Sequence, residues 1–363
     1  MIENPKKKVC FVLPSLGAGG AERVVSYVAQ EVDSSKFISE LLVIGFEKDN
    51  RYEIKGIKVH FLNEPRVLTS IPKLFGYLRK NNPDIVLSAI GHLNTIMALI
   101  SPFFRKTKFI GREVNVLSVL KNYSTTSKKR LFPVPNYIKL SYPLLDKIVC
   151  QSNDMANDLI TNYNISPEKI SVINNPITAD FKLKEISTKP HDYVFKLITV
   201  GRLAKQKGHP RILEALSKLK IPFHYTIIGD GPEKGNIFEI IENLDLSEHI
   251  THVPHTNKVS EYLCENDVFI QGSYVEGFPN ALLESCAVGT PVVAFKALGG
   301  IDEIVVDGVN GYIAEDVEDF SNKITRILSS LNQWEPSVVS DSVYKKYSPN
   351  VILAKYNELL ESI

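Results

Sequence analysis

The sequence is short of the residues that would mark several classes of function. Cysteine occurs four times in 363 residues, at Cys10, Cys150, Cys264 and Cys286, with no Cys-x-x-Cys pair. A disulfide framework or a cysteine-built metal centre is therefore not expected, and the four read as small buried hydrophobes of a reducing compartment. Charge of one sign is lacking too. The formal net charge is +1, where a nucleic-acid binder would carry a broad basic excess, so nucleic acid is not an expected partner. Long hydrophobic runs are missing as well. The greasiest stretch, residues 85–104, is interrupted by Ser88, His92, Asn94 and Thr95 and reads as a buried strand followed by a helix, not a membrane span. The lysines before Val9 imitate a leader, but the apolar run breaks at Pro14 and reads as a first strand. The chain is expected in the cytoplasm.

What is present is an alternation of short apolar runs with helical patterns. In the first half the runs are 9–13, 40–44, 85–89, 108–111, 147–150 and 170–173. Buried strands separated by helices predict a parallel sheet covered on both faces, a Rossmann-like α/β half. A second series follows at 196–200, 225–228, 268–271 and 291–295. The length suits two domains. Their expected bounds are 1–175 and 196–345, with a polar, lysine-rich linker at 176–195 and an amphipathic helix within 346–363.

The most informative stretch is Glu276-Gly277-Phe278-Pro279-Asn280-Ala281-Leu282-Leu283-Glu284. It follows a strand, and Pro279 suits the first position of a helix, where its missing N–H costs nothing. One carboxylate then stands in the loop and a second inside the helix. A fully helical path would separate them by about 12 Å, at about 1.5 Å per residue. That spacing compares with the two hydroxyl-rich ends of a nucleotide-sugar, and a helix N-terminus between them offers N–H groups and a positive dipole to an anion. The plainer alternative is a first-turn charge and a solvated helix face.

Other strand ends carry glycine or charge. In the second half Gly201-Arg202 precedes Lys207-Gly208, two cations able to neutralise a diphosphate, and Gly229-Asp230 opens a further turn. In the first half the Gly17–Arg23 turn has Glu22 where a dinucleotide fingerprint needs glycine, which weakens an NAD reading. His92 follows one strand, and Arg112, Glu113 and Asn115 follow the next; strand C-termini are where open α/β sheets bind ligands. Residues 101–147 hold ten Lys or Arg, including Lys128, Lys129 and Arg130, interleaved with Phe103, Phe104, Leu117, Leu120, Leu131, Phe132, Tyr137 and Tyr142. Such a surface suits an anionic membrane or a lipid diphosphate, or is simply a solvated charged face.

Six segments in order, G-G-A-E-R, N-P, G-R-x4-K-G, G-D-G-P, E-x7-E and G-G-x-x-E, resemble the GT4 family of retaining glycosyltransferases over nearly the whole chain. The resemblance implies the GT-B fold, two Rossmann-like domains facing across a cleft. It implies transfer of a sugar from a nucleotide donor with retention and without a metal; no Asp-x-Asp triplet is present. By the same resemblance Gly19 and Gly20 lie beside the donor diphosphate. Arg202, Lys207 and the helix start at Gly277–Asn280 meet its charge, with Gly201, Gly229, Asp230 and Ala281 lining the donor site. Glu276 approaches the donor sugar and Glu284 the ribose. Glu113 stands where many relatives have a histidine and is a candidate catalytic base or acceptor contact, beside His92, Arg112 and Asn115. The G-G-A-E-R-V form resembles N-acetylhexosaminyl transferases of bacterial surface glycan assembly. The expected donor is a UDP-sugar and the expected acceptor a lipid-linked glycan at the inner membrane face. A UDP-sugar 2-epimerase of the same architecture and a non-catalytic nucleotide-sugar-binding module are the alternatives.

Overall fold

The computed structural model describes residues 5–17, 19–123, 134–179, 181–185, 190 and 192–363. Lys128, Lys129, Arg130, Leu131 and Phe132 lie outside the described residues. The chain divides into two compact units. The first comprises Met1–Ser118, Thr125–Thr178 and Pro349–Ile363, and the second Val119–Ser124 and Ala179–Ser348.

The first unit is built on seven parallel strands: β1 (Lys7–Leu13), β2 (Phe37–Val43), β3 (Lys58–Phe61), β4 (Ile85–Ala89), β5 (Lys108–Arg112), β6 (Lys147–Cys150) and β7 (Ile170–Val172). Their order across the sheet is β3-β2-β1-β4-β5-β6-β7. Helices α1 (Gly20–Glu31), α2 (Ile71–Asn81), α3 (Gly91–Ile100), α4 (Leu117–Leu120), α5 (Val134–Ser141) and α6 (Asn153–Tyr163) connect them. The central strands are apolar because helices cover both faces; β1 and β4 are buried from Val9 to Leu13 and from Ile85 to Ala89.

The second unit has six parallel strands: β8 (Phe195–Val200), β9 (Phe223–Ile228), β10 (Ile250–Val253), β11 (Val268–Gln271), β12 (Val292–Phe295) and β13 (Gly311–Ala314). Their order is β10-β9-β8-β11-β12-β13, the doubly wound dinucleotide-fold arrangement. Its helices are α7 (His209–Leu216), α8 (Lys234–Asn243), α9 (Val259–Glu265), α10 (Asn280–Ala287), α11 (Ile301–Ile304), α12 (Val317–Ser329) and α13 (Pro336–Tyr347). The last helix, α14 (Pro349–Glu361), belongs to the first unit. Lys7 Nζ donates to the carbonyls of Leu360 and Glu361, and the Asp33 amide donates to Asn357 Oδ1.

The same device starts strands in both units. Aspartates just ahead of β4, β6 and β11 accept from the amide of the second residue of a neighbouring strand. Asp84 takes the Lys8 N–H at 2.7 Å, Asp146 the Phe109 N–H at 2.8 Å and Asp267 the Lys196 N–H at 2.8 Å. This satisfies amides that the ladder itself leaves unpaired. Strand order reverses between β1 and β4 in one sheet and between β8 and β11 in the other. Those two places are the switch points at which sheets of this kind bind ligands.

Candidate active site

At the second switch point β8 runs into residues 201–208 and β11 into residues 272–279. The two loops approach to the limit of backbone contact. A Cβ on Gly208, whose φ is +60°, would lie 1.9 Å from the Gly272 carbonyl oxygen, so only glycine serves here. On the other side Gly299, with φ +115°, packs against the Glu276 backbone, and the Glu276 amide donates to Leu298 O at 2.9 Å. The loop bearing Glu276 is therefore wedged between those that follow β8 and β12.

Glu276 is buried to 7% exposure, and its Oε1 collects three donors. Lys207 Nζ lies 2.6 Å away, Ser273 Oγ 2.5 Å and Gln271 Nε2 3.5 Å. A carboxylate this buried needs such partners. All three donors act on one oxygen, and Oε2 has none among the described residues. Arg202, five positions before Lys207, is exposed and makes no ion pair among the described residues. Helix α10 starts at Asn280 with Pro279 as its N-cap, without a side-chain cap. This moves the expected helix start by one residue. Residues 276–279 are not helical, so the helical spacing between Glu276 and Glu284 does not apply. Gly277, Phe278 and Glu284 are buried, whereas Asn280 and Ala281 are half-exposed. Phe278 turns away from the loop and meets the Tyr347 ring edge-on at 5.3 Å. Gly201 and Gly229 cross closely, and exposed Asp230 accepts from the Gly231 amide at 2.8 Å.

Three further residues carry this site and were missed in the sequence. Ser273 and Gln271 flank the motif and bind its first carboxylate; their spacing from Glu276 was the available signal. His209, the first residue of α7, is buried to 1% exposure, and neither ring nitrogen makes a well-formed hydrogen bond among the described residues, although the Arg202 backbone lies near enough to favour the protonated ring. Burial pulls its pKa down to about 4, against the Arg202 backbone and with a smaller push from the charge of Lys207.

The first switch point behaves differently. Gly19 is the N-cap of α1, and the Glu22 carboxylate folds back over it, 2.0 Å from where a Cβ would stand. Gly20 is the first residue of that helix. Burial pushes the Glu22 carboxyl above its ordinary value, against hydrogen bonds that lower it. A carboxylate at this N-terminus opposes a diphosphate in the same place.

His92 is exposed at the start of α3, and Asn115 is half-exposed. Arg112, expected as an acceptor contact, and Glu113, expected as a base or acceptor contact, are fully buried at 0% and 1% exposure. Arg112 Nε donates to Tyr356 of α14 at 3.0 Å and Nη2 to Asn175 Oδ1 at 2.5 Å. Nη1 has no partner. This guanidinium ties β5, the end of the first unit's sequence and α14 together. Glu113 accepts from the Tyr142 hydroxyl at 2.5 Å and from the Val114 amide at 2.8 Å. Burial raises its pKa most, and those hydrogen bonds oppose it. Tyr142, expected at the basic surface, is fully buried in this contact.

Two family profiles divide the chain between them. The description "Glycosyltransferase Family 4" fits residues 18–181 and "Glycosyl transferases group 1" fits residues 181–335. The chain is a GT-B glycosyltransferase of this family. A Campylobacter jejuni protein, N-acetylgalactosamine-N,N'-diacetylbacillosaminyl-diphospho-undecaprenol 4-alpha-N-acetylgalactosaminyltransferase, is 29% identical over 85% of this glycosyltransferase and 86% of its own length. The amylovoran biosynthesis glycosyltransferase AmsD of Erwinia amylovora is 26% identical over 94% and 96%. Among solved structures, HepE of Anabaena in complex with UDP and glucose superposes with a TM-score of 0.79 at 18% identity, covering 98% of this chain and all of that one. At that identity the match speaks for the fold. Among the described residues no group of three or more His, Cys, Asp or Glu could hold a metal ion, and no helix is long and apolar enough to cross a membrane.

Proposed function

We propose that this glycosyltransferase moves an N-acetylhexosamine from a UDP-sugar onto a lipid-linked glycan, with retention of configuration and without a metal, in bacterial surface glycan assembly. The observation that carries the donor site is the Lys207–Glu276 pair at the β8–β11 switch point. A nucleoside diphosphate there meets Arg202, the Lys207 ammonium and the α10 N-terminus, which together oppose the charge released on the leaving diphosphate. Glu276 keeps Oε2 for a sugar hydroxyl while Lys207 and Ser273 hold Oε1. Glu276 is no nucleophile in this scheme; the leaving phosphate assists attack on the same face of the sugar. The Glu284 carboxylate is assigned to the ribose, and Gly201, Gly229 and Ala281 line the nucleotide.

The acceptor class follows the Campylobacter relative, whose name contains a diphospho-undecaprenol acceptor. It is supported by exposed Leu99, Phe103, Leu140 and Leu144 beside exposed Arg105, Lys106 and Lys139 on the first unit. Apolar side chains among cations suit the inner face of an anionic membrane. His92 and Asn115 remain candidate acceptor contacts.

The test is transfer from UDP-GalNAc and UDP-GlcNAc to a polyprenyl-diphosphate-linked sugar in the presence of EDTA, with the product's anomeric proton read by NMR. An α-linked product formed with EDTA present is expected from an α-linked donor. A β-linked product, or a strict need for a divalent ion, contradicts the proposal. Sugar epimerised without any acceptor favours the epimerase alternative.

A further inference from the structure

The Arg211 guanidinium, on α7, is built into the Glu276 loop by hydrogen bonds and by stacking. Its Nε donates to the Gly272 carbonyl at 2.7 Å, and Nη2 donates to the Ser273 carbonyl. Its plane lies between two rings, with Cζ 4.1 Å from the Tyr274 centroid and 4.1 Å from the Phe295 centroid. The stack continues outward and inward. Tyr123 lies on Tyr274 at 5.1 Å and 10°, and Phe295 lies on Phe320 at 4.2 Å and 7°. A planar fork that donates in two directions and stacks on both faces is a use that lysine cannot copy.

The two carbonyls that Arg211 holds belong to the two residues just ahead of Tyr274, four and three positions before Glu276. Ser273 is also the residue whose hydroxyl binds Glu276 Oε1. The Tyr274 amide donates to Gln206 O at 2.8 Å, tying the same turn to the loop that ends in Lys207. Arg211 makes no hydrogen bond to Glu276 or Lys207 among the described residues, yet it fixes the 272–273 and 273–274 peptide planes, which carry Ser273 and the Tyr274 amide that is tied to Gln206.

We propose that Arg211 is a positioning residue of the transfer reaction. It clamps residues 272–274 so that Ser273 and Lys207 hold one oxygen of Glu276 and aim the other at the donor sugar. This rests on the assignment of Glu276 to the donor. The clamp itself is a property of the loop and is tested without turnover.

The experiment compares full-length wild type with Arg211→Lys, Ser273→Ala and the double variant. Arg211→Lys keeps the charge and the stem, so it folds where Arg211→Ala could fail. Hydrogen exchange of the Tyr274 and Glu276 amides should quicken about tenfold in Arg211→Lys, while the β8 and β9 amides stay protected. UDP affinity should stay within about threefold, and kcat should fall about tenfold with little change in donor KM, since the lost interaction acts in the transition state. Adding Ser273→Ala to Arg211→Lys should cost much less than it does in wild type, because both act through one carboxylate. Unchanged exchange at residues 272–276, or independent effects of the two substitutions on kcat, overturns the proposal. So does a general loss of stability with kcat intact. A wild type that binds no nucleotide sinks the donor assignment instead, and the exchange result then decides the clamp alone.

Discussion

The two switch points are built from the same supersecondary plan and use their polar residues in opposite ways. In the second unit Lys207, Ser273 and Gln271 converge on a carboxylate that keeps one oxygen available, and Arg202 stays exposed beside them. In the first unit the charged residues at the strand ends point into the protein. Arg112 is spent on Asn175 and Tyr356, Glu113 on Tyr142, and Glu22 on the start of its own helix. A charge at the end of a parallel strand is therefore an ambiguous sign. What distinguishes the two cases is whether the atom left over is open to a ligand: Arg112 Nη1 is sealed inside the protein, whereas Glu276 Oε2 is not.

The largest effect expected from this contrast lies at Glu276 and Lys207. Glu276→Ala should lower transfer by about 10²-fold or more while UDP still binds, if the carboxylate acts on the sugar in the transition state. Lys207→Ala leaves a buried carboxylate without its cation, which typically costs about 3–5 kcal/mol. It should lower both the melting temperature and the activity. Equal activity in Glu276→Ala would break the comparison at its stronger side.

Arg112→Met comes next and should behave in the opposite sense. It removes a buried guanidinium and its hydrogen bonds to Asn175 and Tyr356, for an expected loss of about 2–4 kcal/mol in chemical denaturation. UDP affinity should not change. Lost UDP affinity without lost stability would return Arg112 to the binding surface and erase the contrast.

Smaller and opposite shifts are expected with pH. The Glu113 carboxyl is raised above its ordinary value of 4.5, chiefly by burial. The folded protein therefore holds this proton more tightly than the unfolded chain, and stability falls as pH climbs from about 4.5 through the raised value. His209 is lowered from 6.5 to about 4. Here the unfolded chain binds the proton first, so stability is lost as pH falls from 6.5 towards 4. Thermal melts across pH 4–8 should show the first trend vanish in Glu113→Gln and the second vanish in His209→Asn. Unaltered pH curves in both variants would contradict the burial assigned to each group.

The smallest effect concerns the exposed apolar patch. Phe103→Ser with Leu140→Ser should weaken sedimentation with anionic vesicles severalfold and leave transfer to a soluble acceptor unchanged. Intact vesicle binding would detach the membrane from this face.

The parallel sheets were legible because their central strands are short, uninterrupted apolar runs. The three strands missing from that reading, Lys58–Phe61, Ile250–Val253 and Gly311–Ala314, are all sheet edges. The first two are also half-exposed, and an edge with one covered face leaves a weak pattern in sequence. In the site, the loop carboxylate and the two cations could be read because glycine spacing marks their turns. Arg211 left no such sign; an arginine on an amphipathic helix normally marks only a wetted face. Its role depends on Tyr274 and Phe295, 63 and 84 positions away in sequence, brought against it by the packing of α7 on the sheet. The internal contacts of Arg112 were hidden for the converse reason. Its partner Tyr356 arrives on the last helix, and nothing near Arg112 in the sequence announces it.

The most direct test of the central claim is a thermal titration with UDP-N-acetylhexosamine in EDTA, on wild type and on Arg202→Ala. A ligand that binds only the folded state raises the melting temperature by mass action, about 2.7 kcal/mol of stabilisation at a hundredfold excess over its dissociation constant. The account predicts a saturable upward shift in wild type and its loss in Arg202→Ala, whose own melting temperature should match wild type because that side chain is exposed and makes no ion pair among the described residues. No shift with the UDP-sugar, or an equal shift in both proteins, would contradict the placement of the donor at the β8–β11 switch point.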